Sequence, residues 1–153
     1  MNHDRLLLTA KKLLSGEPSG EDTRRAVSTA YYAMFHHLCE KVCSLLVCGE
    51  GELNRARYQA YRSIDHGPTK SACLECREDK SFPQAVVEYA ETFVALQQRR
   101  HDADYDPFEA FSAASAQALI GRSEHAIAAF DAVDEKHQRA FVILVALRKR
   151  GRS

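Results

Sequence analysis

Three consecutive residues, Arg99, Arg100 and His101, carry the side chains that internal cleavage of RNA requires. Histidine transfers protons near neutral pH, and arginine binds a phosphate through two parallel hydrogen bonds. Neighbouring side chains of a helix point about 100° apart, so all three address one phosphate only if the helix ends here or a second subunit contributes. We therefore take Arg100 and His101 as candidate catalytic residues, and Arg99 and Tyr105 as candidate ligands of RNA or a nucleotide.

Carboxylates surround these arginines in the sequence, at Asp102, Asp104 and Asp106. They either pair with the arginines in a structural network at a helix end or repel a bound polyanion. Two interpretations of Arg100 therefore stay open, a structural ion pair and a functional cation.

A second basic region contains Arg57, Arg62 and His66, followed by a Gly-Pro pair. One explanation of this charge is a solvated helix face. The other is that a helix break at residues 66–68 places the histidine beside phosphate-binding arginines. Arg57, Arg62 and His66 are therefore further candidates for binding RNA or a nucleotide.

Tyrosine and histidine side chains crowd one segment, which contains Tyr31, Tyr32, His36 and His37. The tyrosines are either core or interface residues or platforms on which bases stack. Each histidine is either hydrogen-bonded inside the protein or part of a ligand cleft.

Five cysteines are present, and Cys73 and Cys76 have the CxxC spacing of half a zinc site. No second CxxC or spaced histidine pair completes such a site, so buried or surface thiols are the alternative. The sequence also lacks a Gly-rich phosphate loop, a nucleophile elbow and a paired-histidine metalloprotease motif. We therefore expect no metal and no cofactor.

Length and charge limit the class of protein. A chain of 153 residues suits one domain. With 21 basic and 21 acidic residues, no overall charge draws it to nucleic acid or to a membrane. The apolar run near the start is too short for a signal peptide or a spanning helix, and an odd number of cysteines indicates reduced thiols. These features predict a soluble, cytoplasmic protein with no membrane partner.

Apolar residues recur at helical spacing almost throughout, without strand alternation or repeats. Residues 24–43 are apolar on most of the helix circumference, which places this helix in the middle of a bundle. Ser19 and Asp22 predict its capping box, and residues 106–107 predict the start of a later helix. We predict an all-α, antiparallel bundle of four to five main helices with an extra C-terminal helix. The predicted helices span residues 4–15, 20–48, 54–65, 69–77, 81–98, 107–133 and 134–150.

The predicted domain organisation has two parts. Residues 1–134 form the bundle. Residues 135–153 form a C-terminal helix and a basic tail that pack on the bundle or on a partner, because residues 140–147 are apolar nearly all round.

Two segments of the chain resemble signatures of the HEPN superfamily of small helical bundles. Residues 24–38, RRAVSTAYYAMFHHL, resemble its second-helix motif, in which a basic residue precedes an AYYAxFH core. Residues 99–111, RRHDADYDPFEAF, resemble its later motif, in which an arginine stands a few residues before an Ala-Asp-Tyr-Asp run. Both occur in the expected order, within a resemblance that covers roughly residues 3 to 134.

The resemblance implies a helical bundle, often a homodimer, that cleaves RNA, binds RNA or binds a nucleotide. It also implies membership of a toxin–antitoxin or defence system, with a nucleotidyltransferase-type or antitoxin partner. Ribonuclease members carry an arginine and a histidine separated by four to six residues, and the two copies of a dimer build one cleft. Here His101 follows Arg100 directly, and Arg62 and His66 are one residue too close.

We therefore expect a HEPN-like protein that binds RNA or a nucleotide. Two alternatives stay open. One is a metal-independent endoribonuclease toxin that uses Arg100 and His101, and the other is a non-catalytic protein-interaction or antitoxin-type module. The sequence does not decide whether the chain is an enzyme.

Overall fold

The chain folds as an all-α bundle, as the sequence predicts. A computed structural model describes residues 1–47 and 54–147, and every regular element within those ranges is a helix. None of these helices is long and apolar enough to cross a membrane. The helices are α1 (His3–Leu13), α2 (Gly20–Leu46), α3 (Asn54–Arg62), α4 (His66–Glu78), α5 (Gln84–Tyr105), α6 (Ala113–Asp131) and α7 (Glu135–Ala146).

Helix α2 is the centre of the bundle and packs against α1, α3, α5, α6 and α7. Its small residues Ala26, Ala30 and Ala33 are fully buried, which lets neighbouring helices approach closely. The predicted capping box is present. The backbone N–H of Asp22 donates to Ser19 Oγ at 3.1 Å, and the N–H of Ser19 donates to Asp22 Oδ2 at 2.9 Å. The helix ends at Leu46, with Val47 non-helical, so it stops two residues before the predicted end at residue 48.

Large aromatic side chains fill the core around α2. Tyr31, Tyr89, Phe93, Phe130 and Phe141 are all fully buried. The ring centres of Tyr89 and Phe130 lie 4.5 Å apart, and those of Phe130 and Phe141 lie 5.6 Å apart. Burial of one such side chain contributes roughly 1.5–3 kcal/mol, so these rings are a large part of what stabilises the bundle.

Helix α7 adds Phe141, Val142 and Val145 to this same core. Its large apolar residues Ile143 and Leu147 stay exposed. The predicted apolar tail is therefore mostly packed against its own bundle. The basic cluster predicted at residues 148–152 lies outside the described residues.

The helix start predicted at residues 106–107 is wrong. Helix α6 begins after Ser112, whose Oγ accepts the N–H three residues later at 3.0 Å, and then continues through Gly121 without interruption. Before it, the carbonyls of Asp106 and Glu109 accept hydrogen bonds from Arg24 of α2. These contacts hold the segment between α5 and α6 in a non-helical conformation.

The helix break predicted at residues 66–68 is also wrong in detail. Helix α3 ends at Arg62, and residues 66–68 form the first turn of α4. Pro68 is tolerated there because the first N–H groups of a helix have no partner within it. The short helix predicted at residues 69–77 therefore exists and begins one turn earlier.

Candidate functional site

Helix packing brings Arg100 of α5 against the two tyrosines of α2. Its guanidinium carbon lies 5.1 Å from the centre of the Tyr31 ring and 5.9 Å from that of Tyr32, within the range of cation–π attraction. The side chain is only 14% exposed, and Nη1 lies 3.6 Å from Asp104 Oδ2, one turn later. The two motifs of the sequence therefore meet in space, and Arg100 has the carboxylate partner that one of its two interpretations predicts.

His66, the first residue of α4, joins the same group. Its Nδ1 is hydrogen-bonded to the hydroxyl of Tyr31, and its ring stacks on Phe35 with 4.3 Å between ring centres. Its carbonyl accepts a hydrogen bond from Gln97 Nε2 at 3.1 Å, which ties α4 to α5. We name as the tyrosine–arginine cluster the residues Tyr31, Tyr32, His66, Arg100 and Asp104.

Burial shifts the pKa of two members of this cluster, His66 and Tyr31. Burial lowers the pKa of His66, and the positive charge of Arg100 lowers it further, against a smaller opposing effect of Asp65. Burial also raises the pKa of the Tyr31 hydroxyl well above its ordinary value, and Arg100 offsets only part of that rise. The imidazole and the phenol are therefore both neutral at neutral pH.

His101 does not share the surroundings of Arg100. It is exposed, and its ring centre lies 5.2 Å from that of Tyr105. Successive helical residues point about 100° apart, so Arg100 faces α2 while His101 does not. The structure thus separates the predicted catalytic pair, and the histidine that it brings close to Arg100 is His66. Nothing in the sequence spacing signals this pairing.

Arg99 and Arg24 hold the end of α5 in place. Arg99 Nη1 lies 2.8 Å from Glu109 Oε1, so Arg99 belongs to the structural network. Both guanidinium groups lie over the ring of Phe111, at 4.3 Å for Arg99 and 5.2 Å for Arg24. Sequence reasoning missed this role of Arg24, the basic residue that precedes the tyrosine motif. Arg24 donates to four backbone carbonyls, those of Asp102, Ala103, Asp106 and Glu109.

The candidate arginines of α3 lie apart from this cluster. Arg57 donates to the carbonyl of Val47 at 3.4 Å and lines a separate pocket of about 330 Å³. Arg62 is exposed and donates to the hydroxyl of Tyr58 at 2.8 Å. In the part of the chain that the structure describes, neither contacts His66. The basic site predicted from these three residues is therefore not assembled.

A pocket of about 450 Å³ opens between the start of α2 and the end of α5, and we name it the α2–α5 pocket. Arg25 is exposed at this pocket and has no ion-pair partner among residues 1–47 and 54–147. Tyr105 is 68% exposed, whereas Tyr32 also belongs to the tyrosine–arginine cluster. The lining includes Glu21, Arg25, Ser28, Tyr32, Asp104 and Tyr105.

The α2 side of the pocket follows from helical spacing. Glu21, Arg25, Ser28 and Tyr32 recur at three- and four-residue intervals and share one face of the helix. Sequence reasoning missed Arg25 and Ser28 as site residues. The spacing was available, but the partner of this face is the end of α5, which only the fold reveals.

Of the remaining candidates, His37, Cys73 and Cys76 are core residues. His36 is half-buried, and its Nδ1 is hydrogen-bonded to the Tyr61 hydroxyl. The ring of His37 is 1% exposed, with Nδ1 2.9 Å from the Tyr89 hydroxyl and Nε2 2.9 Å from Asp131 Oδ1. Burial raises the pKa of the Cys73 and Cys76 thiols, that of Cys76 to about 12, so both stay protonated in the core. Within the described ranges, no three His, Cys, Asp or Glu side chains are grouped so that they could hold a metal ion.

No family model, no curated protein and no solved structure matches this chain. The resemblance to HEPN proteins therefore stays a prediction that rests on the two motifs. The structure adds one fact about those motifs, which is their direct contact through Arg100, Tyr31 and Tyr32.

Proposed function

We propose that this chain is a HEPN-like protein that binds a nucleotide unit in the α2–α5 pocket, either as a free nucleotide or within single-stranded RNA. One observation carries the proposal. The pocket places Arg25, which lacks an ion-pair partner in the described part of the chain, beside the rings of Tyr32 and Tyr105. A phosphate needs a cation and a base needs an aromatic face, so the pocket offers a partner to each half of a nucleotide.

Arg25 is the proposed phosphate ligand. Its guanidinium is exposed and can donate two parallel hydrogen bonds to one phosphate. The adjacent Arg24 also lines the pocket, and its positive charge adds to that of Arg25, although the carbonyls that it binds offset part of it. The carboxylate of Glu21 at the rim offsets part of this charge. This balance favours a ligand with a single phosphate over a polyphosphate or a duplex.

Tyr32 and Tyr105 are the proposed partners of the base. They approach the pocket from α2 and α5, and Tyr105 is largely exposed. Stacking of a base on an aromatic side chain contributes about 1–3 kcal/mol and tolerates any base. Such stacking would also remove the exposed ring of Tyr105 from water.

Endoribonuclease activity is the second candidate function, and one contact favours it. The ring of Tyr32, which lines the pocket, lies 6.4 Å from the ring of His66, which in turn is bonded to Tyr31. A neutral imidazole accepts a proton from a 2′-hydroxyl through its unprotonated nitrogen, which is Nε2 when Nδ1–H donates to the Tyr31 hydroxyl. This candidate replaces His101 with His66 as the proton acceptor, with Arg100 nearby.

Cleavage of single-stranded RNA in the presence of a chelator tests the second candidate. We expect cleavage by the wild type to be lost in His66→Ala while binding of the same RNA is retained. The sequence-based hypothesis instead expects loss in His101→Ala. Absence of cleavage by the wild type would remove the enzyme from consideration and leave binding.

The protein-interaction alternative loses part of its support, because Phe141, Val142 and Val145 are buried within the bundle. The homodimer, a nucleotidyltransferase-type or antitoxin partner, a toxin–antitoxin role and a cytoplasmic location stay predictions from the sequence. Neighbouring reading frames and light scattering of the purified protein are the direct checks on these.

Binding is tested with two probes at low salt, because phosphate contacts weaken as salt rises. Calorimetry with nucleoside 5′-monophosphates measures the affinity for a free nucleotide. Fluorescence polarisation of a labelled pentauridylate measures the affinity for single-stranded RNA. Arg25→Ala is expected to weaken binding by roughly 10-fold or more, since a hydrogen bond to a charged group contributes about 1.5–3 kcal/mol. Tyr105→Ala is expected to weaken it by roughly 5-fold or more.

Arg55→Ala is the matched control, because Arg55 is an exposed arginine of α3 outside the α2–α5 pocket. It is expected to leave both affinities unchanged. Absence of binding by the wild type to both the nucleoside monophosphates and the RNA would refute the proposal. A loss in Arg55→Ala equal to that in Arg25→Ala would show that binding follows overall positive charge and would contradict the assignment of the ligand to the α2–α5 pocket.

A further inference from the structure

Asp104 gives the α2–α5 pocket a carboxylate with an unused acceptor. Its Oδ2 lies 3.4 Å from Ser28 Oγ and 3.6 Å from Arg100 Nη1, both long contacts. Its Oδ1 has no hydrogen-bond partner within residues 1–47 and 54–147. The side chain is 28% exposed and lines the pocket. The carboxylate of Asp104 thus lies beside the mostly buried guanidinium of Arg100 and can still accept hydrogen bonds from a ligand.

The nucleobases differ in what they offer to a carboxylate, which only accepts hydrogen bonds. Guanine presents two neighbouring donors, N1–H and N2–H₂, on its Watson–Crick edge. Adenine and cytosine place a ring-nitrogen acceptor beside their single amino group, and uracil flanks its single N–H with two carbonyls. A carboxylate thus forms two parallel hydrogen bonds with guanine and faces a repelling acceptor on each of the other bases.

We propose that the α2–α5 pocket selects guanine, with Asp104 accepting hydrogen bonds from the N1–H and N2–H₂ groups. This inference rests on nucleotide binding in the same pocket and adds the identity of the base. Arg25 binds the phosphate, and the guanine ring lies against Tyr32 or Tyr105. Arg25 and Tyr32 stand about 10 Å apart along the axis of α2, which leaves the length of one nucleotide between the two ends of the site.

Glu21 is a second carboxylate of the same pocket and serves as an internal control. It is exposed and lies one helical turn before Arg25, on the phosphate side of the proposed site. Its removal should strengthen the binding of every nucleotide, because it relieves repulsion of the phosphate. It should not change the preference among bases.

The experiment is calorimetry of the wild type, Asp104→Asn and Glu21→Gln with 5′-GMP, 5′-IMP and 5′-AMP. The same bases are also placed at the centre of a five-residue oligouridylate for polarisation. Inosine keeps N1–H and lacks the 2-amino group. For the wild type we expect GMP to bind roughly 5- to 150-fold more tightly than AMP, the discrimination of one bidentate base contact, with IMP between them. Asp104→Asn should remove this preference, and Glu21→Gln should keep it.

The outcomes separate this inference from the proposed function. Equal affinity of the wild type for all three bases would overturn guanine selection and leave nucleotide binding intact. Binding of none of them, free or within RNA, would overturn both. A preference that survives in folded Asp104→Asn would overturn the role of Asp104. Should that variant fail to fold, the affinities of the wild type alone test the role of the carboxylate. Equal affinities for GMP and IMP would exclude a carboxylate contact to the 2-amino group.

Discussion

Arg24 and Arg25 are neighbours in the sequence, but only Arg24 is tied into the fold. Its Nη1 donates to the carbonyls of Ala103 and Asp106 at 3.0 and 2.8 Å, and its Nη2 donates to that of Glu109 at 2.5 Å. The carbonyl of Ala103 lies in the last turn of α5, where helical carbonyls have no partner within the helix. Arg24→Ala would leave these acceptors without a donor, whereas Arg25→Ala would remove only an exposed side chain.

The expected loss of stability follows from these contacts. A hydrogen bond to a charged group contributes about 1.5–3 kcal/mol. Arg24 is half-buried and its Nη1 is shared among three carbonyls, so we count two effective bonds at the low end of that range. Arg24→Ala should therefore lower the free energy of unfolding by about 3 kcal/mol, a fall in Tm of roughly 6–12 °C. Arg25→Ala should change it by less than about 0.5 kcal/mol.

Urea denaturation followed by far-UV circular dichroism measures both variants. Arg24→Lys is the intermediate case, because a lysine keeps the charge but cannot direct donors at several carbonyls at once. It should recover less than half of the lost stability. A loss below about 1 kcal/mol for Arg24→Ala, or an equal loss for Arg25→Ala, would contradict the assignment of a structural role to Arg24 alone of the two residues.

The remaining predictions concern pH. At Asp131, burial raises the pKa of the carboxyl, but hydrogen bonds from His37 and Lys41 outweigh burial and lower the pKa to about 2. The carboxylate thus contributes stability above its unfolded pKa of 3.8 that is lost as the pH falls toward 2. Asp131→Asn should cost about 1 kcal/mol at neutral pH, and urea titrations should show its difference from the wild type shrinking in acid. At His66, burial and the charge of Arg100 lower the pKa below the ordinary 6.5, so the unfolded chain takes up the proton first and stability falls as the pH drops through 6.5. His66→Gln should lessen that fall in the free energy of unfolding, and an equal slope in both proteins would contradict the lowered pKa.

The helix ends show which structural features local sequence can predict. The capping box of Ser19 and Asp22 was predicted correctly, because both partners lie within one turn of the chain. The start predicted at residues 106–107 failed although its residue types suit a helix start. The deciding contact there comes from Arg24, which is remote in sequence and binds the carbonyls of that segment.

In the candidate site, too, the sequence predicted some features and tertiary contacts determined others. Arg100, His66 and Tyr105 were chosen as candidates from their residue types, because few side chains bind phosphate, move protons or stack on bases. Their partners were not identified, since adjacency in sequence paired Arg100 with His101. In the fold, adjacent helical residues diverge, and Arg100 contacts α2 instead.

The sequence by itself determined that this chain is all-α and where most of its helices lie, because hydrophobic periodicity and caps depend on residues a few positions apart. Tertiary structure alone decided the surroundings of two adjacent arginines. Arg24 points to the end of α5 and donates hydrogen bonds to carbonyls there. Arg25 points about 100° away around the same helix and stays exposed at the pocket. The position of α5 relative to α2 makes that difference, and it depends on the packing of the whole bundle.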